Sequence, residues 1–95
     1  MNKAETFIIQ YFKDNQDKFH DMWKDAEKTA HEINRLTGEN TVADYIFIGM
    51  AFTYFELLFN GYNKKVGECV LHIDTVNWDT IIKEVRDIML KGVKN

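Results

Sequence analysis

Apolar and polar positions repeat with a helical period in three stretches of the chain and with a strand period in one. From Asn2 to Lys13 the residues Ala4, Phe7, Ile8, Tyr11 and Phe12 fall three and four apart, which predicts an amphipathic first helix. The run Asp14, Asn15, Gln16, Asp17 breaks it, because short polar side chains compete for backbone hydrogen bonds and start a new helix. The second helix, Gln16 to Leu36, has the stripe Phe19, Met22, Trp23, Ala26, Ala30, Ile33 and Leu36, with mixed charges opposite. Thr37 and Gly38 end it.

Thr41 opens a third helix, with Asp44 placed three residues on as the returning half of a capping box. The helix runs to about Phe59, where Asn60 and Gly61 stop it. Its central stretch, YIFIGMAFTYFELLF from Tyr45 to Phe59, has thirteen apolar, aromatic or glycine residues in fifteen, Thr53 and Glu56 being the exceptions. A helix apolar on every side is expected to be shielded on every side, by the other segments or by a second subunit. Asn60-Gly61 is also a hairpin signal, so a strand-turn-strand over Phe55 to Val66 stands beside the helical reading.

Residues 68 to 74 change period. Cys69, Leu71 and Ile73 alternate with Glu68, Val70, His72 and Asp74, a strand with one polar face. Its partner is either the segment from Leu58 to Asn63 or the same strand of a second molecule. Asn77 caps the last helix, Val76 and Ile81 form a hydrophobic staple, and Gly92 ends it after the stripe Trp78, Ile81, Ile82, Val85, Ile88, Met89. The fold class is therefore mainly α: four helices packed around a central apolar helix at about residues 41–60, with one short β-strand or hairpin near 66–74, in a single domain over 1–95.

Composition narrows the function more than the fold. The chain of 95 residues has 45% hydrophobic and 28% charged residues, no proline and a formal charge of −3, the profile of one folded domain rather than a disordered segment or a polyanion binder. No basic residue lies between Arg35 and Lys64, while Glu39, Asp44 and Glu56 do, so an acidic rim borders the apolar helix. One cysteine forms no internal disulfide and points to a reducing compartment. The start MNKAETFIIQYF does not read as a secretory signal, and the central run is shorter than the roughly 20 residues that cross a bilayer. The expectation is a cytoplasmic protein.

TAHEINRLTGENTVADYI, residues 29 to 46, resembles part of a helix-turn-helix DNA reader. It departs from that pattern where only Glu39 and Asn40 separate Gly38 from Thr41. It departs again where the recognition helix continues Tyr45, Ile46, Phe47, Ile48 with nothing to meet base edges. A plain helical hairpin is the better account. Glu27 and His31 lie one turn apart and could hold a metal with His72, but His20 is roughly 16 Å along the axis from His31, so all three read as solvated surface. Glu56, a carboxylate in an apolar helix, reads as an edge residue rather than a buried acid. Cys69 and His72 point to opposite strand faces, and no phosphate loop, nucleophile elbow or paired-carboxylate motif is present, so no cofactor, metal or catalytic residue is expected.

The apolar surface is generous for one core of this size, which points to a partner protein. The leading expectation is a small non-enzymatic protein-binding module, an inhibitor or regulator of a larger protein and itself a possible homodimer. The contact residues would be Glu39, Asp44, Tyr45, Tyr54, Glu56 and Tyr62. Small phage or mobile-element accessory proteins fit the profile by analogy. The alternative is a DNA-associated transcriptional regulator using the helical hairpin 16–60; a small metal-dependent enzyme comes third.

Overall fold

A computed structural model describes the backbone of residues 1–91 and the side chains of residues 1–89. The expected stop at Gly92 lies outside the described residues. Four helices and a two-stranded hairpin follow in the order α1 (Lys3–Asp14), α2 (Gln16–Thr37), α3 (Ala43–Leu58), β1 (Asn63–Val66), β2 (Cys69–His72) and α4 (Trp78–Lys91), with a 3-10 turn at Ile73–Thr75 before α4. No helix of the described residues is long and apolar enough to cross a membrane.

The break between α1 and α2 is a single residue. Asn15 leaves helical geometry (φ −129°, ψ 44°), and its side-chain amide donates to Tyr11 O at 2.9 Å, so the chain turns without losing its carbonyl partner. Gly38 takes the left-handed conformation (φ 73°) that closes α2. Asn60 (φ 53°) and Gly61 (φ 98°) do the same after α3, so they end a helix and do not turn the hairpin. The hairpin turns at Gly67 (φ 62°), pairing Lys64 with Leu71 and Val66 with Cys69. The strand's partner is therefore residues 63–66 of the same chain, and residues 73–75 leave the strand for the 3-10 turn. As alternation predicts, Leu71 and Ile73 face the core and Val70 and His72 face out.

The expected capping box at Thr41 does not form. Val42 is the N-cap of α3 and makes no side-chain cap bond. Thr41 is held instead by Asn34, whose side chain accepts from Thr41 N (2.6 Å) and donates to Thr41 O (2.8 Å). Asp44 turns away to Arg86 of α4, because a guanidinium is a stronger partner for a carboxylate than a lone backbone N–H. Asn77, by contrast, caps α4 as expected, accepting from Asp79 N (3.1 Å) and Thr80 N (3.3 Å).

The core is aromatic. Phe12, Phe19, Phe47, Phe55 and Phe59 are all fully buried. Phe19 stacks on Phe55 with 5.8 Å between ring centres, and Phe12 sits 4.3 Å from Phe19. Ala26 and Ala30 are buried on α2, small residues on its inner side. Two polar contacts tie distant elements. The Glu5 carboxylate, buried on α1, accepts from Asn2 N at 2.9 Å and from Asn77 N at 2.7 Å, joining the starts of α1 and α4. Those two backbone donors, Asn2 first, hold its carboxyl below the usual glutamate value. His20 is half-buried with Nδ1 2.6 Å from Met89 O, which fixes Nδ1 as the donor and anchors α2 to the far end of α4. It is not the solvated surface residue that the sequence suggests.

Of the two ways in which α3 is expected to be shielded, cover by the chain's own segments is incomplete: the helix fully buries only Phe47, Ala51 and Phe55. The molecule measures 48 × 33 × 20 Å, and 20 Å is two helix diameters. In a slab two layers thick every helix keeps an outer side, however apolar it is.

Candidate protein-contact surface

The outer side of α3 exposes apolar residues to solvent. Its exposed positions recur every four residues, Tyr45, Gly49, Thr53 and Leu57, opposite the buried Phe47, Ala51 and Phe55. Tyr45 is 74% exposed and Leu57 77%, and Val42 continues the line at 44%. Thr53 adds less polarity than its name implies, since its hydroxyl donates back to Gly49 O at 3.0 Å. A Cβ built on Gly49 would meet nothing within 4 Å. The face is thus apolar, shallow at its middle, and uncovered among the described residues.

Beside this face a groove of about 310 Å³ opens between the first turns of α3 and the outer side of α4. Ile48 and Ile82 lie among its lining residues, with Tyr45 on one side and Lys83 and Arg86 on the other. Asp44 is not a free acid there, because Arg86 Nη2 donates to both of its carboxylate oxygens, at 2.6 Å to Oδ1. This pair closes one part of the rim electrostatically.

On the opposite flank of α3, three polar groups meet above the aromatic core. Tyr54 and Tyr11 share a hydrogen bond at 3.0 Å between their hydroxyls, and Lys18 Nζ donates to Tyr54 at 3.1 Å while lying 4.9 Å from its ring centre. The bond from Tyr11, aided by the Lys18 ammonium, holds the Tyr54 phenol below the usual tyrosine value. Tyr11 is raised because ionising it would break the bond that it donates. The cluster fastens α1, α2 and α3 together, so Tyr54 is partly committed within the chain.

The six contact residues expected from the sequence are therefore not one patch. Asp44 and Tyr45 line the same groove. Glu56 is half-buried beside the outer face, neither a sunken acid nor a fully solvated one. Tyr62 is 57% exposed after the Asn60-Gly61 turn, its carbonyl accepting from Ile73 N, and Glu39 is exposed in the α2–α3 loop. Leu57 and Gly49 also belong to the surface and were hidden within the run 45–59 read as shielded throughout, and Val42 just before it adds to the same side. Nothing in the run marks which side faces out. Among the described residues no three His, Cys, Asp or Glu side chains gather as metal ligands would. Compared with known proteins, the chain matches no protein-family model, no curated protein and no solved structure, so its own surface is the ground for a functional reading.

Proposed function

We propose that the protein is a small non-enzymatic binding module, an inhibitor or regulator that grips a larger protein through the outer face of α3. The observation that supports this reading is the uncovered apolar line Val42, Tyr45, Gly49, Thr53, Leu57. A large exposed tyrosine and leucine on a rigid helix, with a charged rim at one side, are the features of a contact surface rather than of a solvated helix. A cytoplasmic site of action fits the lone Cys69, which is half-buried and unpaired in a disulfide. The DNA-reading alternative gains no support from α3, whose sequence holds no lysine or arginine to meet phosphates or base edges.

The test is affinity capture from the native cell with the wild-type chain and with a Tyr45→Glu, Leu57→Glu double variant of matched far-UV circular dichroism. The reading expects a protein that the wild type retains and the variant loses. Equal capture by both, or salt-sensitive retardation of duplex DNA by the wild type, would overturn it.

A further inference from the structure

We infer that, when no larger partner is bound, a second copy of this chain covers the outer face of α3 in an antiparallel, twofold-symmetric helix pair. This deepens the contact-surface reading and rests on it. The residues along the face are ordered for such a pairing. Tyr45 and Glu56 are eleven residues apart, three turns plus about 20° of rotation, so they lie on one flank roughly 16 Å apart along the axis. Ile46 and Leu57 have the same separation and occupy the other flank. Gly49 and Thr53 lie between, where a close approach needs small side chains.

A twofold axis perpendicular to α3 near Ala51 carries each flank onto itself with its direction reversed. Tyr45 then comes to the level of Glu56 in the second copy, and Ile46 to the level of Leu57. Each match is chemically complementary. The phenol donates to the one carboxylate on this face, and the two aliphatic side chains meet each other. A parallel pair would instead turn each flank toward the opposite one, setting Glu56 beside the aliphatic Leu57 and Tyr45 beside Ile46, with no donor for the carboxylate. The acid that could have opposed the arrangement, Asp44, is already neutralised by Arg86 within its own chain. At the centre nothing obstructs, since the side of Gly49 is open and the small Thr53 bonds its hydroxyl back to its own helix. A 16-residue helix is about 24 Å long and covers less than the ~800 Å² per partner of a standard interface, so the pair is weak enough for a larger protein to displace.

Sedimentation equilibrium on the full chain, from low micromolar to near-millimolar concentration, tests this. The wild type is expected to approach the mass of two 11.2 kDa chains at the upper end. Gly49→Lys should stay monomeric with an unchanged circular dichroism spectrum, because its side chain has room in the monomer and none in the pair. Glu56→Lys should also be monomeric, and adding Tyr45→Glu to it should restore the dimer through an ion pair in place of the wild-type hydrogen bond. Tyr45→Phe should weaken dimerisation at least about tenfold. A wild type that remains monomeric at the highest concentration overturns the dimer while leaving capture of another protein to be judged by its own experiment. A dimer that survives both Gly49→Lys and Glu56→Lys overturns this geometry.

Discussion

Replacing Glu5 is expected to cost more than any surface change on the molecule, although the residue sits on the first turn of the first helix. The residue is 7% exposed, and its carboxylate receives two backbone N–H groups, Asn2 at 2.9 Å and Asn77 at 2.7 Å. It also lies where the positive ends of two helix dipoles converge. A bond from a capping N–H to a carboxylate contributes about 1–1.5 kcal/mol net, so Glu5→Ala should lose about 2–3 kcal/mol. For a domain of this size that lowers the melting midpoint by roughly 8–24 °C. Urea and thermal unfolding followed by far-UV circular dichroism would measure it. Glu5→Gln separates charge from shape, since one amide oxygen can still accept but the dipoles lose their anion. The folded carboxyl titrates below its unfolded value, so its contribution is complete above the ordinary glutamate pKa and is lost as pH falls through the folded one. The gap between wild type and Glu5→Gln should therefore be widest near pH 7 and shrink toward about pH 2. A Glu5→Ala loss below about 0.5 kcal/mol, or a gap that does not change with pH, would refute the clamp.

Three further outcomes follow from other contacts. Gly49→Ala should stabilise the monomer by about 0.5–1 kcal/mol in chemical denaturation, because a helical glycine with open space beside it has only entropy to lose. Asn34→Ala should cost about 1–2 kcal/mol while Thr41→Val is nearly silent, since the asparagine holds the loop and the threonine hydroxyl caps nothing. Phenolate absorbance should show one tyrosine titrating below the ordinary value of about 10, and Tyr54→Phe or Lys18→Met should remove that early step.

Helical periodicity located α1, α2 and α4 because each has a polar side that water must keep, and the period of two located β2 for the same reason. The helix α3 offers no such contrast. Its sequence announces that it is apolar, but which side is covered depends on how many layers the chain can build, and ninety-five residues build two. The capping at Thr41 misled because Asn34 and Arg86, seven and forty-two residues from the groups they hold, outbid a local pattern. The first helix was placed by its apolar stripe and not by the Asn2–Glu5 capping box that starts it, and Asn77 reaches the same carboxylate only after the chain has folded. At the contact surface, Glu56 stood out from the sequence as the one acid within the apolar run, whereas Tyr45 was one of three tyrosines in and just after it. Leu57 and Gly49 acquire meaning only from the direction they face.

The join between Glu5 and Asn77 spans 72 residues, nearly the whole chain, and this bears on the order of events in folding. A loop that long closes only after the helices and hairpin have collapsed onto each other, so the carboxylate reaches its second donor late. Weakening it should accelerate unfolding several-fold and leave the refolding arm of a chevron plot almost unmoved. The first turn of the chain then acts as a latch on a finished structure, setting how long the fold persists rather than how fast it forms.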